Sequence, residues 1–140
     1  MGKLPFHYVD LRTFCYATED EPRVEAALRQ FLPDDYPIDR ETGEGHHGDP
    51  IVVLSARVEN ADDVRHVVGK VRELDDLETV LDELDQRVDE DCAFYLKLDK
   101  QAAFRREVRR GEGILLRAKV EAYPAKKPAA VENAREALAG

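Results

Sequence analysis

The run His7-Tyr8-Val9-Asp10-Leu11-Arg12-Thr13-Phe14-Cys15-Tyr16-Ala17 alternates without a break. Val9, Leu11, Thr13 and Cys15 fall on one side; Tyr8, Asp10, Arg12, Phe14 and Tyr16 fall on the other. A period of two is the periodicity of a β-strand, and the asymmetry of its sides predicts one face on a core and one left open. Cys92 to Asp99 repeats the pattern, with Cys92, Phe94, Leu96 and Leu98 inward and Ala93, Tyr95, Lys97 and Asp99 outward. Ile114 to Tyr123 repeats it again, with Ile114, Leu116, Ala118, Val120 and Ala122 inward. Ile51 to Val58 is a fourth strand, apolar on both sides except at Ser55 and Arg57.

The segments between these strands carry helical spacing. Asp20 is suited to cap a helix whose first turn holds Pro22, and Val24, Ala27, Leu28 and Phe31 then form one apolar stripe. Asn60 is suited to cap a second helix bearing Val64, Val67, Val68, Val71 and Leu74. Asp75-Asp76 opens a third with Leu77, Val80, Leu81, Leu84 and Val88. Lys100 to Arg110 predicts a short helix with Phe104 and Val108 inward, closed by Gly111-Glu112-Gly113, and Val131, Ala134 and Leu138 mark a terminal helix. Residues 36–50, rich in Gly, Asp and Pro, predict a loop with at most a short strand. Together these predict one α+β domain over residues 1–140, a largely antiparallel sheet with helices packed on one face.

Composition limits what such a domain does. The 140 residues are 43% apolar and 36% charged, which fits an ordered globular chain. The longest apolar run, Ile51 to Leu54, is far short of the roughly 20 residues that span a bilayer, so a soluble, cytoplasmic protein without membrane contact is expected. Two cysteines, Cys15 and Cys92, are too few for a disulfide framework and read as reduced core thiols.

Thirty acids against 21 bases give a net charge of −9, and the bases are 14 Arg but only 7 Lys. An Asp-rich, Lys-poor surface stays hydrated in concentrated salt and points to a salt-loving source. The average conceals a reversal of sign, because residues 92–128 carry a net +6 on an otherwise acidic chain. Such a block suits an anionic partner, or else neutralises the acidic surface of its own fold.

If the outward sets share one face, it presents Tyr8, Arg12, Phe14, Tyr16, Arg57, Tyr95, Lys97, Arg117, Lys119 and Tyr123. Cations neutralise phosphates and planar groups stack on unpaired bases, which is the combination looped or single-stranded RNA requires. The candidate RNA contacts are therefore Arg12, Arg57, Tyr95, Lys97, Lys100, Arg105, Arg106, Arg117, Lys119, Lys126 and Lys127. A second buried face or a homodimer interface is the rival reading, since Phe14 and Leu115 also pack well.

Signals for catalysis are weak. His46-His47-x-Asp49 offers metal donors but matches no standard spacing, and the surrounding glycines lack the Lys-Ser/Thr ending of a nucleotide loop. Asp89-Glu90-Asp91 reads as a helix exit more readily than as a magnesium cluster. His7 and His66 are isolated, and no Ser or Cys sits in a nucleophile context.

Several motifs in order, Leu11-Arg12-x-Phe14, Ala17-Thr18-Glu19-Asp20-Glu21, Glu44-Gly45-His46-His47-Gly48, Arg87-Val88-Asp89-Glu90-Asp91, Leu98-Asp99-Lys100-Gln101-Ala102-Ala103 and Ala122-Tyr123-Pro124-Ala125-Lys126, resemble an archaeal RNA-binding family. That family is described as predicted exosome subunits, with a fold similar to the large-subunit ribosomal protein that binds 5S RNA. With the acidic composition, the chain looks like a haloarchaeal member. The resemblance implies a non-catalytic RNA-binding protein of RNA processing or turnover, with no established catalytic residues and no required cofactor. Arg12, Lys97, Lys100, Arg117 and Lys126 are the RNA contacts inferred beside it. A scaffold of an RNA-processing complex that does not touch RNA is the alternative, and a metal-dependent nuclease using His46, His47, Asp89 or Asp91 the last.

Overall fold

The computed structural model describes residues 4–44 and 48–140, so His46 and His47 lie outside the described residues. Among those described, the chain forms β1 (Phe6–Cys15), α1 (Glu21–Arg29), β2 (Asp39–Glu44), β3 (Pro50–Val58), α2 (Ala61–Val71), α3 (Leu77–Asp82), α4 (Leu84–Arg87), β4 (Ala93–Asp99), α5 (Lys100–Phe104), β5 (Gly113–Val120) and α6 (Lys127–Ala139). The strands make one sheet in the order β2-β3-β1-β5-β4, antiparallel at every pairing. The expected α+β architecture is present. None of these helices is long and apolar enough to cross a membrane.

The inner face follows from the alternation. Val9, Leu11, Thr13 and Cys15 of β1 are buried together with Leu54, Ala56 and Val58 of β3, Ile114, Leu116, Ala118 and Val120 of β5, and Phe94, Leu96 and Leu98 of β4. The apolar stripes Val24-Ala27-Leu28 of α1, Val64-Val67-Val68-Val71 of α2 and Ala130-Val131-Ala134-Leu138 of α6 close over this face in one continuous core. Each fully buried Leu or Val contributes about 1.5–3 kcal/mol of transfer free energy, which fixes the register: a slip of one residue would send that set into water. Thr13 Oγ1, a buried hydroxyl on this face, donates to the Gly113 carbonyl at 2.6 Å.

Several boundaries differ from the sequence expectation, each for a local reason. The helix expected from Asp75-Asp76 through Val88 is split at Glu83, whose backbone leaves the helical region and whose carboxylate accepts from Arg87 and Arg110. The helix expected over Lys100 to Arg110 ends at Phe104 because Arg106 takes a left-handed φ of 62°, and the amides of Arg106 and Glu107 return to Ala103 and Ala102. This is the double hydrogen bond of a Schellman stop, made without the usual glycine. β5 ends at Val120 rather than Tyr123. In the 36–50 segment β2 is a six-residue edge strand with every side chain exposed, so no apolar face announced it.

Candidate RNA-binding face

The register aligns the outward residues into rows. Arg57 of β3, Asp10 of β1, Arg117 of β5 and Tyr95 of β4 lie side by side, as do Ser55, Arg12, Leu115 and Lys97 in the next row. Tyr8 stands opposite Lys119. These positions are half-buried or exposed while their neighbours one residue away, except the exposed His7, are buried, so this side of the sheet is open.

At its centre a single carboxylate orders two guanidinium groups. Arg57 donates from Nε and Nη2 to the two oxygens of Asp10 at 2.8 and 3.0 Å, a bidentate pair. Arg117 approaches the same Asp10 Oδ2 at 3.9 Å, and donates from Nε to the Tyr95 hydroxyl at 3.1 Å and from Nη1 to the Tyr8 hydroxyl at 2.9 Å. Hydrogen bonding to Tyr95 and then Tyr8 raises the already high pKa of Arg117, and hydrogen bonding to Asp10 does the same for Arg57. Arg57 also lies over the Tyr8 ring, 4.0 Å from its centroid. Asp10 thus holds Arg57 by its edge and the Tyr8 ring covers one of its faces, while two phenol oxygens hold Arg117, so both guanidinium groups are fixed on the open side of the sheet.

The Tyr95 hydroxyl is itself held. It lies beside Asp89 and helps to lower the pKa of that carboxyl, whose oxygen accepts the amides of Asp91 and Ala93 at 2.9 and 3.0 Å. Burial would raise the Asp89 pKa, but these donors and the nearby Arg117 charge outweigh it and keep the group below the usual carboxylate range. Asp89 therefore builds the turn into β4 and anchors a face residue. Lys119 donates to the Asp91 carbonyl from the same end.

Three hollows run across this face. One of about 310 Å³ lies between Arg57, Asp10, Arg12 and Arg117, one of about 430 Å³ between Tyr95, Lys97, Arg110 and Leu115, and one of about 270 Å³ between Arg12, Phe14, Tyr16, Lys97 and Leu115. Leu115 borders all three. Among the described residues Lys97 pairs only with the exposed Glu112, at 3.7 Å, and Arg12 has no ion pair but lies 5.6 Å from the centroid of the Phe14 ring.

The candidates therefore separate. Arg12, Arg57, Tyr95, Lys97, Arg117 and Lys119 are brought together on the open face. Lys100, expected as an RNA contact, is instead 9% exposed: it opens α5 and turns inward, where its ammonium donates to the Phe14 carbonyl at 2.8 Å and meets Glu19 at 2.8 Å. Arg105 and Arg106 lie in the turn after α5, at the end of the sheet where β4 finishes and β5 begins. Lys126 and Lys127 start α6 beyond the other end of β5, about 23 Å away for a strand of eight residues. Tyr123, expected on the face, is past the strand and wholly exposed. Three residues that shape the face stand outside the expected RNA contacts: Tyr8, expected on the face but not as a contact, Asp10, and Asp89, expected as a helix exit or a metal ligand. Tyr8 and Asp10 belong to the outward side of β1, but their role depends on cross-strand neighbours up to 109 positions away.

The chain matches a family described as RNA binding over residues 8–120. The RNA-binding protein PAB1135 of Pyrococcus abyssi is 37% identical over 150 residues, covering 99% of this chain and 97% of its own. Mth689, a DUF54 protein from Methanothermobacter thermautotrophicus, is 41% identical with a TM-score of 0.81, covering 95% of this chain and 98% of its own. Protein AF2318 of Archaeoglobus fulgidus is 26% identical with a TM-score of 0.85, covering 94% of this chain and 99% of its own. By its extended match and by a relative of this identity along both full lengths, the chain belongs to the archaeal RNA-binding family.

Proposed function

We propose that this protein is a non-catalytic RNA-binding protein that grips structured or looped RNA through the open face of its sheet. The observation that carries the reading is the cluster of Arg57, Arg117, Tyr8 and Tyr95 around Asp10, with Arg12, Lys97 and Lys119 beside it: cations for phosphates and planes for bases on one accessible surface. A relative named as an RNA-binding protein supports it. Ultraviolet crosslinking of bound RNA, read by mass spectrometry of the crosslinked peptides, tests it. Crosslinks on the outward positions of β1, β4 and β5 are expected, and crosslinks confined to the helical side would overturn the reading.

The cellular role we propose is RNA processing or turnover in association with the exosome, and it rests on the family resemblance of the sequence motifs. Affinity capture of the protein with and without nuclease treatment checks it. Exosome subunits should co-purify, and an RNA bridge would make that association nuclease-sensitive. The Asp-rich, Lys-poor surface favours a setting of high salt, where contacts of planes and hydrogen bonds outlast those of charge alone.

A further inference from the structure

The outward side of β1 finishes in two aromatic rings that the core does not use. Phe14 is 37% exposed and Tyr16 51%, and their ring centroids stand 6.5 Å apart with planes inclined by 27°. Adjacent exposed rings forfeit the free energy of burial, so their position calls for a physical cause.

That cause is a buried ion pair. Lys100 Nζ donates to the Phe14 carbonyl at 2.8 Å and to Glu19, while Glu19 Oε1 accepts the Tyr16 amide at 3.1 Å. The two backbone positions that carry the rings are thus fastened from beneath, and the Lys100 ammonium lies 5.4 Å from the Tyr16 centroid. Gly113 makes room for this: at its φ of +117°, an added Cβ would come within 2.5 Å of the Lys100 Cβ.

Above the pair the rings wall the hollow of about 270 Å³, with Ile114 and Leu115 along it, and Arg12, Lys97 and the carboxylate of Glu112, 3.7 Å from the Lys97 ammonium, at its rim. We infer that this hollow is a subsite for one unpaired RNA base, stacked on the Phe14–Tyr16 wall, with Arg12 and Lys97 meeting the flanking phosphates. The inference rests on the open-face reading above and names the RNA feature recognised there. Charge complementarity selects the ligand: Arg12, with no ion pair among the described residues, and Lys97, paired only across 3.7 Å with the exposed Glu112, stand beside rings and favour an anion that carries a flat π-face, and an apolar peptide would gain nothing from them. A duplex hides its base planes in its own stack, so the subsite accepts only a loop, bulge or single-stranded end. Lys100 is then a positioning residue and touches no RNA itself.

The test compares two RNAs on the full-length protein: a hairpin with 2-aminopurine in its loop, and a blunt duplex of the same length and charge. Wild-type protein should quench the loop fluorophore, and Phe14→Ala should abolish the quench and weaken hairpin binding by about tenfold, as expected for one lost base–aromatic stack. Duplex binding should stay within about twofold, because its phosphate contacts are untouched. Lys100→Met, measured well below its melting temperature, should lose the loop preference and keep duplex binding, a separation that general loosening of the fold would not produce. An unchanged hairpin affinity for Phe14→Ala, or equal losses on both RNAs, overturns the subsite. If Arg117→Ala weakens both RNAs while Phe14→Ala weakens neither, the open face stands and the subsite falls. If wild type binds neither RNA, both readings fall. A Phe14-dependent protein partner that survives nuclease overturns it in favour of a protein ligand.

Discussion

Replacing Lys100 by Met keeps the length of the side chain and removes only its charge, so it isolates what the ammonium does. In the folded protein that ammonium contacts the Phe14 carbonyl and the Glu19 carboxylate, with side-chain exposures of 11% for Lys100 and 22% for Glu19. Breaking a fully buried pair by removing one partner costs about 3–5 kcal/mol; because Glu19 keeps some solvent and the Tyr16 amide, about 2–3 kcal/mol is expected here. For a domain of this size that loss lowers the melting temperature by roughly 8 °C. The pH dependence sharpens the test. Burial alone would raise the Glu19 pKa, but Lys100 and the Tyr16 amide more than offset it and hold it below the ordinary value. A lowered pKa contributes stability that is complete above the unfolded value near 4.3 and is lost as the pH falls through the folded one. In Lys100→Met the carboxyl keeps its burial without its cation, so its pKa rises and acid harms the variant less. The difference between wild type and variant, from urea unfolding at a series of pH values, should be largest near pH 7 and shrink below about pH 4. Glu19→Gln should be less damaging in the Lys100→Met background than in wild type. A pH-independent difference, or strictly additive single variants, would refute the coupling.

Asp10→Asn removes the carboxylate between Arg57 and Arg117, and should steepen the slope of log K for RNA against log salt by about 0.7, the share of one phosphate contact; an unchanged slope in a filter-binding series would count against the central cluster. Five face cations, each contributing about 0.7 to that slope, would lose roughly five orders of magnitude between 0.1 and 3 M salt. Tyr95→Ala should therefore impair binding at 3 M at least as much as Lys97→Ala does, and equal indifference to both by fluorescence anisotropy would refute a role for this face. Gly113→Ala meets both a left-handed backbone and the Lys100 side chain, so it should lower stability by about 1–3 kcal/mol in chemical denaturation; a neutral substitution would show that the turn into β5 relaxes freely.

The alternation of residues 7–15, 94–99 and 114–120 made the sheet, its buried side and its open side legible, because a period of two maps directly onto two faces; Ala93, expected outward, is buried instead. It also placed Tyr8, Arg12, Phe14, Tyr95, Lys97, Arg117 and Lys119 on one side. What it does not carry is register. Asp10 looks like an isolated acid among cations until β3 and β5 set Arg57 and Arg117 on either side of it. Lys100 looks like one more surface base of the positive segment, since nothing local shows that its stem is covered by Gly113 or that Glu19, 81 positions away, receives its charge. The positive segment itself is continuous along the chain but not in space: β5 carries its two ends apart, leaving Arg105 and Arg106 at one end of the sheet and Lys126 and Lys127 at the other. Arg106 stops α5 in a conformation usually given to glycine, so helix propensity ran past the true end.

The bidentate clasp of Arg57 on Asp10, and the two phenols that tether Arg117, restrict these long side chains before any partner arrives. Mobile arginines would surrender rotamer freedom at the moment of docking; here most of that loss has already occurred during folding. A rigid palette of this kind predicts that the free protein already has the shape it shows to a ligand, with association limited by encounter and orientation rather than by rearrangement.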